Sequence, residues 1–523
     1  MRSWLPYLKK TVDLAGGTAR SVARTARRIF VVQLPKTPDR TFSISGDLFL
    51  RGLGLVLLAA FLTAETQVLG LIGTKGILPL AESLKGVAAE YGVKRYFYLP
   101  TLFWFKAGDA VLTGSCWLGV AVSLLLVLGI APLPCLLTAW ALYLSLVTAG
   151  ADFFNYQWDL LLLEICFAAL FMAPAWRLNP GNRRDIPVVF RWLLLWLLFR
   201  VVFFSGLIKL LSGDPDWGTL SALRFFFQCQ PLPTPLAWWA QQTPEPLLKA
   251  VCLVVLLVEL GVPFLMLLNR RLRIASFFIL VAYQFVLMAT VNTNFFNLLV
   301  ILLCLLLLDD ASWLSASRLR GILSPFARSK ANPSPPMTRR LLPYFIFIAV
   351  LSVIQTSADL GYKGKWPEPF LSLFRLNVPL RFTSHYGYTI SSADTRPVIV
   401  VEGTSDGKEW KEYGFRWKPG DSKRMPGFAA PHQPRLDAQM WLAVFGKCED
   451  APWFQQFMGR LASASKPVLG LLSSDPFHGV PPASVRARLY DYRFTTFAEW
   501  RRTGDWWRRV DRGEFCPPVS KPD

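Results

Sequence analysis

Residues 192–211 read WLLLWLLFRVVFFSGLIKLL. Apart from Arg200, Ser205, Gly206 and Lys209 every position is a large apolar side chain. Twenty helical residues reach about 30 Å, the thickness of a hydrocarbon core. The stretch therefore reads as a membrane span that carries two cations. Eight further apolar runs extend outward from it: 48–70, 110–130, 132–149, 158–175, 247–268, 274–291, 295–308 and 341–356. Three of them, 158–175, 295–308 and 341–356, are short or interrupted by polar residues, and each also fits a re-entrant or buried half-helix. The expected count is therefore seven to nine. Composition agrees. Of 523 residues, 53% are hydrophobic and only 17% charged, with mean hydropathy +0.35, against about 25% charged in soluble domains.

The formal charge of +21 would suit an anionic partner in a soluble protein, so the location of the cations decides its meaning. Segments 1–47, 176–191, 269–273 and 309–340 hold 22 Lys and Arg against 6 Asp and Glu, whereas 71–109, 150–157, 212–246 and 292–294 hold 6 against 7. Cytoplasmic loops collect Lys and Arg, which places the N-terminus in the cytoplasm and everything after the last span on the other side. This asymmetry accounts for most of the charge, and no nucleic acid is needed. Residues 1–47 form a basic cytoplasmic segment, in which Arg20, Arg24, Arg27 and Arg28 have near-helical spacing. They act as an orientation flag or as an amphipathic helix on anionic lipid. The bundle proper covers 48–308, with a Trp- and Pro-rich outer loop at 212–246. A Pro- and Ser-containing cytoplasmic linker, 309–340, leads to the last span at 341–356.

From 357 to 523 the texture is that of a folded extracytoplasmic domain. Strand-like runs flank a turn at Ser405, Asp406 and Gly407, helix-like segments follow near 437–445 and 452–464, and VRARLYDYRFTT (485–496) precedes an aromatic, basic tail. The fold class is an α-helical polytopic membrane bundle of about eight or nine helices plus a C-terminal β-rich mixed domain, with a sandwich among its possible topologies. Five of the eight cysteines lie in apolar spans as small core residues. Cys229, Cys448 and Cys516 face the oxidising side, and Cys448 with Cys516 share one domain, where a disulfide is possible.

Three histidines, 385, 432 and 478, are too far apart for a zinc motif, so no metal and no cofactor is expected. Gly403-Thr-Ser-Asp-Gly407 matches the serine elbow pattern, but strands on both sides make it a hairpin turn rather than a nucleophile mount. More informative are ionisable residues at membrane depth, which cost about 2.5–3.5 kcal/mol each at a helix centre unless they face protein or water. These are Asp152, Asp159, Glu164, Lys209 and Glu259. Asp159 and Lys209 lie near span ends, where snorkelling suffices. Glu164 and Glu259 lie deeper, with Lys209 and Arg200 as cationic partners by depth, and form either a structural polar network or a working site. In the outer loop, Trp217, Gln230, Trp238 and Trp239 fit an interfacial aromatic belt or an apolar platform for a client or lipid. In the outer domain His432, Arg435 and Asp437 stand at a helix start and are candidates, with the outer-loop residues, for a client or interface surface, while Asp437 also fits an N-cap or first-turn acid.

LYLSLVTAGADFFNYQWDLLLLE (142–164), FFSGLIKLLSGDPDW (203–217), QCQPLPTPLAWWAQQ (228–242), ELGVPF (259–264), NTNFFNLL (292–299), VVEGTSDGKEWKEYGFRWKPGD (400–421), APHQPRLDAQMW (430–441) and LYDYRF (489–494) occur in the order seen in the lipase maturation factor family. The chain resembles that family over nearly its whole length. The resemblance implies a multi-pass membrane protein that helps secreted, lipase-like hydrolases reach their folded state, without catalysis of its own. It also implies membrane lipid and the client as partners and an endoplasmic reticulum location. Where the family pattern leads one to expect a His after PLAWW, this chain has Gln241. The absence of an N-x-[ST] sequon points to a bacterial source and hence a cell membrane. A fainter likeness of 203–217 to the membrane region of vitamin K-dependent carboxylases implies an alternative: a membrane-embedded enzyme with Lys209 as base and Glu164 or Asp214 assisting.

Overall fold

The computed structural model describes residues 41–174, 186–315, 338–360, 366–387 and 393–520. The expected basic helix within 1–40 and most of the 309–340 linker lie outside the described residues. Among the described residues six helices are long and apolar enough to cross a membrane: α1 (Ser43–Ile72), α3 (Asp109–Leu128), α4 (Pro132–Ala149), α6 (Val188–Leu211), α9 (Glu245–Leu265) and α10 (Arg270–Thr290). Helix α2 (Leu80–Tyr91) lies between the first two of these. Of the three doubtful spans, α5 (Gln157–Leu170) and α11 (Phe296–Leu305) have 14 and 10 residues, or about 21 and 15 Å at 1.5 Å per residue. Both fall short of a hydrocarbon core, and both are largely buried. The third is α12 (Thr338–Asp359).

Local chemistry sets the boundaries. Proline opens α4 at its first position, where its missing N–H costs nothing. Asn269 caps α10 by accepting from the Leu272 N–H. In the outer loop, α7 (Leu223–Cys229) is followed by α8 (Pro235–Gln241), which Thr234 caps through the Ala237 N–H at 3.1 Å.

The membrane helices draw one set of loop ends together. The Ser43 N–H and hydroxyl donate to Asp310, Arg270 and Arg273 pair with Asp309, and the Arg191 guanidinium lies 3.8 Å from the Phe42 ring centre. At the other end of the bundle stand α7, α8 and the C-terminal domain.

After residue 357 a further helix precedes the sheet of that domain. Helix α13 (Glu368–Leu380) packs on α12, and Phe382 packs 4.2 Å from Phe167 of α5, so this stretch lies against the bundle. The sheet starts at β1 (Arg396–Thr404), which turns into the two-residue β2 (Lys411–Glu412). Helices α14 (Arg435–Ala443) and α15 (Pro452–Ala462) precede β3 (Ser484–Phe494). Then come α16 (Phe497–Thr503), opened by a Thr496/Glu499 capping box and closed by Gly504, and β4 (Trp507–Ser520). All pairings are antiparallel in the order β2-β1-β3-β4. The domain is one sheet covered by helices, not a sandwich, and the aromatic, basic tail is an edge strand rather than an appendage. Val401, Ala487 and Cys516 lie side by side on its buried face, where Cys516 is disulfide-bonded to Cys448 with Cα atoms 5.5 Å apart. Phe42–Asp523 form one compact unit.

Candidate functional site

The polar residues singled out in the sequence gather mainly where the bundle meets the C-terminal domain. Asp159, in the first turn of α5, and Arg435, at the first position of α14, are both wholly buried and paired. The guanidinium donates to the two carboxylate oxygens at 2.9 and 3.1 Å, to the Phe153 carbonyl at 2.7 Å and to the Tyr143 hydroxyl at 3.2 Å. It also stacks 3.7 Å from the centre of the Phe154 ring. Tyr143 of α4 donates in turn to Asp159. From α1, Gln67 accepts from the Arg435 N–H at 2.9 Å and donates to the Gln433 carbonyl at 2.8 Å. A fork meeting a carboxylate bidentately is the strong form of ion pair. Here it joins the two halves of the chain. Snorkelling, expected for Asp159, is therefore ruled out: a side chain with no exposed surface cannot reach the headgroups.

Glu164, about one and a half turns further along α5, binds Arg200 of α6. Its other oxygen accepts from the Ser384 N–H at 3.0 Å and the Tyr386 hydroxyl at 2.7 Å, while Arg200 donates to Thr383 at 3.0 Å. This second pair fastens the 381–387 connector into the bundle. Lys209 is likewise buried instead of snorkelling. Its ammonium donates to both oxygens of Glu259 at 2.7 and 2.6 Å and to the Ser205 carbonyl at 3.2 Å, and the Tyr283 hydroxyl adds a bond to Glu259 at 2.6 Å. Gly206 permits the approach, since a Cβ there would come within 2.8 Å of the Glu259 Cβ. The Lys209 side chain is thus engaged by Glu259 and the Ser205 carbonyl, and nothing supports the enzyme alternative. Asp214 accepts from the Asp216 N–H as the cap of a one-turn helix. Asp152 is exposed and lies outside the buried network.

The residues expected to face a client are mostly covered. Trp217, Gln230, Trp238, Arg435 and Asp437 are buried, while Trp239 stays about half exposed. Trp238 does not anchor in headgroups. It packs 5.0 Å from Trp506 and 5.8 Å from Trp500 of the C-terminal domain, and Gln242 beside it bonds to the Thr495 carbonyl and the Phe497 N–H. Gln241, standing where a His was expected, accepts from the Gln228 N–H at 3.2 Å. His432 meets Thr63 of α1 at 3.3 Å, and burial with Arg416 and Arg435 nearby lowers its pKa. Asp437 is a first-turn acid whose carboxylate accepts from the Trp417 and Lys418 N–H groups at 2.9 and 2.8 Å rather than from its own helix, and burial raises its pKa. Burial also pushes the Lys418 ammonium down to about 7.

Of the contributors that the sequence reading did not single out, three tie distant segments together. Arg396, buried at the start of β1, donates to the carbonyls of Gln228, Gln230 and Pro231. Asn292 bridges the Leu232 and Gly427 carbonyls and the Ala429 N–H. Gln67 is the third, and an amide inside an apolar span was a readable signal. Arg396 had none, because a strand-initial Arg is usually a surface residue. Among the described residues no group of three or more His, Cys, Asp and Glu is placed to hold a metal ion.

Several of these contacts, those of Asp159, Glu164, Lys209, Trp238, Glu259, Asn292 and Arg435 among them, lie in the segments quoted above for their resemblance, and comparison with known proteins agrees. Residues 44–315 match the family model of the lipase maturation factor transmembrane domain, and residues 382–517 that of the lipase maturation factor C-terminal domain. The second match begins at the connector that holds Glu164 and Arg200. The chain is 32% identical to lipase maturation factor 2 of Homo sapiens over 91% of its own length and 83% of that protein. It is 32% identical to lipase maturation factor 2 of Xenopus laevis, covering 91% and 82%. Against lipase maturation factor 1 of Bos taurus the identity is 31%, covering 92% and 90%. No solved structure matches the chain. With both family models matched and relatives aligned nearly end to end, this multi-pass membrane protein belongs to the lipase maturation factor family.

Proposed function

We propose that the protein is a membrane maturation factor that helps secreted hydrolases of the lipase class fold or assemble, acting without catalysis through a C-terminal domain held rigidly at one end of its bundle. The observation that carries this reading is the Arg435–Asp159 pair, which has no exposed surface and joins residues 276 apart in sequence. A tethered domain would need no such joint. A platform that presents a fixed surface to a client does, because preorganisation lowers the entropy lost on binding.

The side on which clients are met is the non-cytoplasmic one, with the N-terminus in the cytoplasm. This is supported by the shared end at which Phe42, Arg191, Arg270 and Asp310 meet, into which the Lys- and Arg-rich segments run. The membrane is that of the endoplasmic reticulum, or the cell membrane in a bacterium. Alkaline phosphatase fused after residue 520 is expected to be active, and an inactive fusion would reverse the orientation.

For the client role, the test is co-expression with a secreted lipase, reading secreted activity per lipase antigen. Removing residues 393–523 is expected to abolish the gain while the bundle still inserts. Undiminished lipase activity from the truncated protein would refute the reading.

A further inference from the structure

The 36 residues between α1 and α3 carry a feature that the joint between bundle and domain does not use. Helix α2 runs into a 3-10 turn, Gly92–Lys94, and a one-turn helix, Arg95–Tyr98. Along this rim Val93 is 84% exposed, Phe105 is 90% exposed, and Tyr96, Phe97, Tyr98 and Leu102 also face outward. The segment is held in shape. Tyr91 and Tyr98 pack at 5.0 Å, and the Arg95 guanidinium stacks on Tyr96 at 4.7 Å and on Trp104 at 5.1 Å. The Trp104 indole donates to the Leu99 carbonyl at 2.8 Å, Ser145 of α4 accepts from the Leu102 N–H, and Asp109 accepts from Thr74 at the base. An ordered shelf that exposes this much aromatic surface calls for a partner.

Two observations identify that partner. First, α3 adjoins the shelf and leaves Trp117, Leu118, Leu124, Leu125 and Leu128 exposed, so it stands at the lipid-facing border of the bundle. Phe105 precedes the start of α3 by four residues, at most about 14 Å of chain. The shelf therefore overhangs lipid, not protein. Second, residues 80–106 set Lys85, Lys94, Arg95 and Lys106 against Glu82 and Glu90. Aromatic rings interleaved with cations favour headgroup depth, where the ring's apolar body and the charged tips are both solvated.

We propose that residues 91–105 form an interfacial shelf seated in the headgroup layer of the leaflet on the C-terminal domain's side, with the lipid surface itself as its partner. The proposal does not depend on the client role. The structure also makes the test clean: the six free cysteines are buried and the other two are bonded to each other, so an introduced thiol is labelled selectively. F105C and V93C, each in the full chain, are labelled with bimane and reconstituted in vesicles of phosphatidylcholine and phosphatidylglycerol. K408C, in the polar turn after β1, serves as the control. Vesicles made with acyl chains brominated near the headgroup should reduce emission at both shelf positions at least twofold and leave the control within a tenth of its value. Aqueous iodide should do the reverse. Both sites are exposed, so labelling disturbs no packing. Shelf labels that respond like the control would overturn the proposal. It would equally be overturned by labels shielded from iodide only when a secreted lipase is added, or only as the protein-to-lipid ratio rises, since these would assign the shelf to a client or to a second copy.

Discussion

Replacing Arg435 by methionine removes the charge at the centre of the joint while keeping an unbranched side chain of similar reach. The wild-type guanidinium supplies two bonds to Asp159, at 2.9 and 3.1 Å, one to the Phe153 carbonyl and one to Tyr143. In R435M a fully buried carboxylate keeps Tyr143 but loses its countercharge. Breaking one side of a buried pair costs about 3–5 kcal/mol, chiefly the penalty of the charge left behind. At 1.4 kcal/mol per tenfold change, local opening of α14 from the bundle should rise by roughly two to three and a half orders of magnitude. Amide hydrogen exchange over residues 435–443 in detergent reads that opening directly. The companion D159L/R435M variant removes both charges and leaves neither uncompensated. It should recover at least about 2 kcal/mol relative to R435M, and the difference measures the coupling. Exchange in R435M within about threefold of wild type would refute the reasoning, because the pair would then fasten nothing.

Three further outcomes follow from the same structure. G206V should weaken the α6–α9 contact, because even a Cβ meets Glu259 at 2.8 Å; overpacking of this kind costs about 1–3 kcal/mol, read as a lower midpoint of thermal unfolding in detergent. Lys418 in the fold releases its proton near 7, but the unfolded chain holds it to the ordinary value of 10.5. The unfolded state therefore binds more protons between those limits, and stability rises with pH across the window by up to about 1.4 kcal/mol per unit, and falls as pH drops toward 7. Denaturant midpoints at pH 6.5 and 9 should differ in this sense, and K418M should flatten the difference. C448S should cost about 2–5 kcal/mol, because the Cys448–Cys516 bond closes a loop of 68 residues; unchanged resistance to denaturant on adding a reductant would contradict it.

Apolar run length alone located the long helices within a few residues, since a hydrocarbon core imposes a minimum span that few other folds need. The same argument flagged Glu164 and Glu259 as residues needing cations, and named Arg200 and Lys209. It did not pair them, because helix rotation and crossing are set by packing that a single sequence does not display. For Asp159 and Lys209 the sequence leaves snorkelling open beside a polar network, because a span end looks like an interface until something covers it, and for Asp159 the cover comes from Arg435, 276 residues away. Trp238 is likewise left between a headgroup belt and an apolar platform, because a tryptophan next to a span has the same composition whether it meets lipid or Trp506.

The long sequence interval bridged by Arg435 and Asp159 also governs how the chain is made. Helix α5 enters the bilayer hundreds of residues before its countercharge is translated. Until α14 docks, Asp159 and Tyr143 have only each other or water at an apolar boundary, and the carboxylate lacks the countercharge that the finished protein gives it. A nascent bundle is thus less stable than the finished one. Chains that stop between codons 159 and 435 keep that carboxylate without its cation for good, so a bundle made without α14 carries a charge that only the full-length protein pairs.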